Sequence, residues 1–339
     1  MSEVAALPSF LTLPPQDQRD AYLIASEELN RSATVLEKDV WVCWALGALF
    51  RCPGMPAMAF KGGTSLSKIF NAISRFSEDI DVTMDHNDLA PGLDPYEPKS
   101  GKQRDRDDAS LRRLMCERSI DVLVPHLRGL MAEVGLSEDM LLTEKDGEVL
   151  TVHYPHAVAD RNPYYRESIK IEFGGLNMIE PNETYTVAPY MAATFSNFAF
   201  PVCEVSVLSP MRTFWEKVTL AHAESNRPEF RNAERTSRHW HDLAVLAERE
   251  IGRAALLDLE LLRDVVRVKE RFFRSSTSQY DLCLIGEAKL LPGEAGLLLL
   301  RADYQQMLDA EMLDDPLPFD ELVERVRALQ DAINAVTTA

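Results

Sequence analysis

No stretch of this 339-residue sequence is apolar for the roughly 20 residues that a membrane-spanning helix needs. The first 18 residues carry Glu3 and several prolines where a secretory leader needs an unbroken apolar core, so neither export nor membrane insertion is expected. Cysteine is sparse. Cys43, Cys52, Cys116, Cys203 and Cys283 are scattered without a pairing framework or metal-ligand spacing, which argues against a disulfide scaffold and a zinc site and for a reduced, cytoplasmic setting. Basic residues are outnumbered, 36 against 54 acidic, and the formal charge of −18 works against broad binding to a phosphate backbone. Lys and Arg do gather locally, at Lys99, Lys102, Arg104 and Arg106, at Arg112 and Arg113, and at Arg227, Arg231, Arg235 and Arg238. An RNA partner would have to meet one of these islands. Asp105, Asp107 and Asp108 are interleaved with the first, so a solvated charged helix is its simpler explanation. No internal repeat is evident.

What is present suits a folded chain with a sizeable core, because the apolar content is an ordinary 46%. Residues 20–51 read as helical, with Trp41, Trp44, Ala45 and Ala48 on a buried stripe, and lead to a short strand at 57–60. After Asp85 a loop containing Pro91, Pro95 and Pro98 precedes a long helix within 108–134, and residues 141–154 suggest a hairpin turning at Asp146-Gly147. Another strand is expected at 201–208. Beyond residue 230 the pattern is helical, punctuated by Pro292, Pro316 and Pro318. The expected organisation is an α/β core over 1–208, with an insertion at about 86–160, followed by a helical domain over 209–339.

The motif of most consequence is Lys61-Gly62-Gly63-Thr64-Ser65, then an amphipathic segment, then Ser77-Glu78-Asp79-Ile80-Asp81-Val82. Leu66, Ile69, Phe70 and Ile73 recur at helical spacing, which predicts a helix starting at Thr64 or Ser65. Its unpaired N–H groups, together with glycines that lack a Cβ, form a candidate triphosphate cradle. Asp79 and Asp81 alternate with Ile80 and Val82 as on a strand, so both carboxylates face one side, roughly 7 Å apart at Cα. Two carboxylates at that spacing can hold a pair of Mg²⁺ ions about 4 Å apart, the arrangement for in-line displacement at phosphorus. Turn, helix and paired aspartates in series point to nucleotidyl transfer, although each part alone is commonplace.

Three further stretches fit. In 168–173, Ile169, Ile171 and Phe173 alternate with Lys170 and Glu172, so Glu172 can supply a third carboxylate and Lys170 can neutralise the cluster, touch a phosphate, or simply form a surface ion pair. Ser209-Pro210 starts a helix whose buried stripe is Phe214, Val218 and Ala221. Lys217 stands at the edge of that stripe, able to reach a triphosphate oxygen. A second helix, from about Arg235, buries Trp240, Leu243, Ala244 and Ala247 and sets His239 and Asp242 on a nearly opposite sector, where Asp242 is expected to orient Lys217 or a nucleotide.

These blocks carry a resemblance. Gly62 to Leu66 with Arg75 to Asp81, then Ile169 to Glu172, Thr213 to Lys217, and Arg238 to Leu243 appear in the order found in AbiEii-type nucleotidyltransferase toxins, across roughly residues 34 to 250. The resemblance implies a DNA polymerase β-like nucleotidyltransferase core with a mixed sheet and a helical C-terminal region. It also implies a toxin of a type IV toxin–antitoxin system, with a cognate antitoxin encoded nearby. Family roles would be phosphate contact by Gly63, Thr64 and Ser65, metal binding (Mg²⁺ or Mn²⁺) by Asp79 and Asp81, and supporting roles for Lys170 and Glu172. Lys217 and Asp242 match the family's later functional positions. Relatives use a nucleoside triphosphate as donor, and some use the acceptor end of tRNA as recipient. The residues alone also admit a metal-dependent phosphohydrolase or a non-catalytic nucleotide-binding regulator.

Overall fold

The computed structural model describes residues 7–97, 99–159, 166–230 and 235–338; Glu3, Pro98 and Arg231 lie outside them. In chain order the elements are helices α1 (Pro15–Leu29) and α2 (Ala33–Phe50), strand β1 (Met58–Lys61), helix α3 (Gly62–Lys68), strand β2 (Ile80–Met84), and helices α4 (His86–Leu89), α5 (Gly101–Arg118) and α6 (Val124–Glu133). Strands β3 (Leu141–Glu144), β4 (Val149–His153), β5 (Ser168–Gly174), β6 (Asn182–Val187) and β7 (Cys203–Leu208) follow. Helices α7 (Pro210–Ser225), α8 (Arg238–Glu248), α9 (Glu250–Leu257), α10 (Leu259–Phe272), α11 (Glu294–Asp309) and α12 (Phe319–Thr338) complete the chain. The fold is the expected mixed α/β type, strands giving way to helices after residue 208.

Two compact units are assembled from interleaved stretches. One comprises Met1–Phe60, Glu78–Gly92 and Ala109–Val207; the other comprises Lys61–Ser77, Leu93–Asp108 and Leu208–Ala339. The first unit is built on a seven-stranded sheet of order β3-β4-β5-β2-β1-β7-β6. It is mixed: β3 pairs β4 and β4 pairs β5 antiparallel, whereas β2 pairs β5 and β1 pairs β7 in parallel. Ile80 and Val82 of β2 and Ile169 and Ile171 of β5 are fully buried, each contributing about 1.5–3 kcal/mol by leaving water. That burial fixes register, since a slip by one residue would turn the carboxylates of these strands into the core. Helix α2 packs on β5, and Trp41 stacks on Tyr154 at 5.3 Å. The hairpin joining β3 to β4 turns through Lys145, Asp146 and Gly147, all at positive φ.

In the second unit α7 packs against α8, α9 and α10, and α12 against α8. The 61–77 stretch joins them through α3, which packs on α7, and through a bridge between Arg75 and Leu313. Helix α3 begins at Gly62, two residues before the expected start, and ends at Lys68 rather than running to Ile73. Gly62 has φ 81°, a left-handed value that suits glycine, and at the far end Asn71 turns left-handed while Ala72 N–H closes back on Leu66 O at 2.8 Å. The stripe of Leu66 and Ile73 is buried all the same.

Candidate functional site

The carboxylates belong to the first unit. Asp81 lies in register with Glu172 on the neighbouring parallel strand, and Asp79 stands two residues earlier, just before β2 begins. Adjacent strands are about 4.8 Å apart, so Asp81 and Glu172 are side by side at the backbone. Glu172 is paired with Lys170, two residues away on the same face of β5, at 2.6 Å, and Arg166 Nε stands 3.8 Å from Asp79 Oδ1. Among the described residues, no three His, Cys, Asp or Glu side chains are gathered into a group able to hold a metal ion as they stand. The donors fit Mg²⁺ or Mn²⁺ in kind, being all carboxylate oxygens, and they fit in strand register. Glu172 would have to exchange its bond to Lys170 for the cation.

The second unit holds the later positions. Asp242, on α8, has no solvent exposure, and its two oxygens accept a fork from Arg75, Nε to Oδ1 at 2.7 Å and Nη2 to Oδ2 at 2.9 Å. Lys217 Nζ of α7 lies 2.8 Å from the same Oδ2. Burial opposes ionisation of Asp242, but Arg75 and Lys217 outweigh it and hold the carboxyl well below the usual carboxylate range. Burial also lowers the Lys217 ammonium from its ordinary value, Arg75 adds to the effect, and Asp242 partly counters it. One buried carboxylate thus holds a nearly buried lysine in a fixed place, with an arginine bracing the carboxylate from behind. Fork geometry is the reason an arginine serves there.

Arg75 also accounts for Gly63. A Cβ on Gly63 would stand 2.6 Å from Arg75 Nη2 and 2.7 Å from Ser77 Oγ, and the arginine, locked by Asp242, cannot give way. Gly63, Thr64 and Ser65 are buried, Thr64 Oγ1 donates to Ser77 Oγ at 3.0 Å, and Ser65 Oγ donates to the Gly62 carbonyl at 3.0 Å. Lys61 pairs with Glu216 of α7 at 3.0 Å. Burial works against the charged form of Glu216, yet Lys61, Lys269 and Arg212 bring its pKa down to about 2. Burial, with Lys61 and Arg212 nearby, lowers that of the half-buried Lys269 to about 8, against the pull of Glu216.

Three participants escaped the sequence reading. Arg75 was part of a motif but had no role, Glu216 lay unremarked beside Lys217, and Lys269 belongs to no motif. Their pairings join residues far apart in sequence, which no spacing signals.

No curated protein sequence matches this one. Among solved structures the chain is similar to MenT4, the nucleotidyltransferase toxin Rv2826c from Mycobacterium tuberculosis H37Rv, with 17% identity, 93% of this chain and 98% of that chain covered, and a TM-score of 0.40. Residues 44–325 match the family model described as nucleotidyl transferase AbiEii toxin, type IV TA system. Spanning most of the sequence, that match makes the chain a member of the AbiEii nucleotidyltransferase toxin family of type IV toxin–antitoxin systems.

Proposed function

We propose that this toxin transfers a nucleotide from a nucleoside triphosphate to an RNA acceptor, with the tRNA acceptor end as the leading candidate, and that it depends on Mg²⁺ or Mn²⁺. The observation that carries the reading is the pairing of Asp81 with Glu172 across parallel strands, with Asp79 two residues before. Asp79, Asp81 and Glu172 would hold the metal, which when bound offsets charge on triphosphate oxygens and favours ionisation of the attacking hydroxyl.

The chain's own residues supply the rest. Lys217, fixed by Asp242, presents a preorganised cation to a phosphate oxygen, and such a group stabilises developing charge without reorganising during reaction. Lys170 keeps the carboxylates balanced until the donor arrives. Lys61 and the 62–65 turn contact the triphosphate, through Lys61 and backbone N–H groups, since the Thr64 and Ser65 hydroxyls already bond within the fold. In transfer, the acceptor oxygen forms a bond to the α-phosphorus, the bond to the bridging oxygen breaks, and pyrophosphate leaves with that oxygen. Family membership also supplies the expected regulator, a cognate antitoxin encoded nearby.

The test is incubation of the purified chain with each α-³²P nucleoside triphosphate, Mg²⁺ and total cellular RNA. Label in an RNA of tRNA size is expected from at least one donor. Release of inorganic phosphate or pyrophosphate with no labelled product would favour hydrolysis over transfer.

A further inference from the structure

Glu37, Lys38 and Asp39 are consecutive on α2, and each is at most 2% exposed. Buried charges are costly unless each is paired or hydrogen-bonded, and these are. Glu37 accepts from the backbone N–H of Ala157 at 2.6 Å and of Val158 at 3.3 Å, and Asp39 accepts from that of Tyr190 at 2.7 Å. Lys38 donates to Glu78 Oε2 at 2.6 Å, to the Ser168 carbonyl at 3.0 Å and to the Arg166 carbonyl. Glu78 Oε2 also accepts the N–H of Arg166 at 3.0 Å.

We propose that Lys38, through its ion pair with Glu78, is the positioning residue for the carboxylate group; the inference rests on the reading of Asp79, Asp81 and Glu172 as metal ligands. Glu78 is covalently joined to Asp79, and Ser168 is the first residue of β5, whose Glu172 is in register with Asp81. The Lys38–Glu78 pair therefore ties together the starts of the two parallel strands that bear Asp81 and Glu172, with Asp79 immediately before the first of them. The ladder between them begins at Ile80 and Ile171, so Asp79 precedes its first rung and takes its place from Glu78. Carboxylates crowded together repel one another, which pushes the strand starts apart when no cation is bound. A buried ammonium bonded to both starts resists that push.

The experiment compares the full chain with Lys38→Met and Glu78→Gln, and with Asp39→Asn as a control on the same helix that holds a different segment. Two quantities are read: amide hydrogen exchange in residues 78–84 and 166–174, and Mn²⁺ binding by the loss of the free-ion electron paramagnetic resonance signal. Lys38→Met and Glu78→Gln should speed exchange in both segments and weaken Mn²⁺ binding by about tenfold or more, while Asp39→Asn leaves Mn²⁺ affinity within about twofold. Should Lys38→Met fail to fold, Glu78→Gln, which keeps the shape and removes only the charge, decides. Wild-type Mn²⁺ affinity in both variants, or an equal loss in Asp39→Asn, overturns the proposal. A wild-type chain that binds no Mn²⁺ would instead sink the metal reading. The positioning proposal, which rests on that reading, falls with it, whereas Mn²⁺ binding by the wild-type chain with the same affinity in the two variants overturns the positioning role alone.

Discussion

Asp242 has no contact with solvent and receives bonds from Arg75 and Lys217, so removing its charge leaves two buried cations facing each other. Breaking such a group from one side typically costs about 3–5 kcal/mol. Asp242→Asn should lose stability of that order in urea unfolding, and a loss below about 1 kcal/mol would mean that the buried group is not held as described. Lys217 and Asp242 were legible as a pair because both stand on helices with strong apolar stripes, which left their polar ends pointing at the edge of a core. The brace behind them was not, because Arg75 and Asp242 are 167 residues apart and only the tertiary fold brings them together. The Glu37–Lys38–Asp39 run was hidden for another reason. Three charges in a row on an amphipathic helix read as a solvated face, and only the loops that bring backbone groups and Glu78 to them make their burial tolerable.

Among the elements, β2, β5 and β7 were legible because apolar residues alternate with polar ones, and the β3–β4 hairpin because Asp146-Gly147 turns well. β6 was missed. Its sequence, Asn-Glu-Thr-Tyr-Thr-Val, buries only Val187, so the alternation that reveals a half-buried strand is nearly absent. Helix α3 was read too long because its apolar spacing continues past Asn71, where the chain turns left-handed. Helix α8 packs against α7, α9 and α12, and His241 records the consequence. It is fully buried, neither ring nitrogen has a hydrogen-bond partner among the described residues, and burial pushes its pKa down to about 4. His239, on the same helix, shifts in the same direction. Since the unfolded chain takes up these protons more readily, the associated stability is fully present above pH 6.5 and is lost as pH falls toward 4. His241 alone should cost about 2 kcal/mol between pH 7 and pH 5. His241→Leu should lose correspondingly less over that interval in urea titrations at the two pH values. An identical pH dependence in the variant would contradict the assignment.

At the scale of the whole molecule, the change from strands to helices near residue 208 was legible, whereas the contribution of 61–77 and 93–108 to the second compact unit depends on long-range pairings such as Arg75 with Leu313. None of the described helices is long and apolar enough to cross a membrane. With a charge of −18, the proposed RNA acceptor would have to be drawn to a local group of cations against a repulsive remainder, so its binding should be salt-sensitive. On the proposed reading transfer chemistry hinges on the carboxylates, and Asp81 is the sharpest place to probe them, because it is half-buried at the surface of β2 beside Glu172 while Ile80 and Val82 hold the strand in the core. The decisive measurement is therefore the rate at which Asp81→Asn moves label from an α-³²P nucleoside triphosphate to RNA, taken together with its unfolding midpoint. The midpoint should stay near that of the wild-type chain while the rate falls by at least about a hundredfold. Transfer at the wild-type rate by a folded Asp81→Asn protein would contradict the assignment of the site.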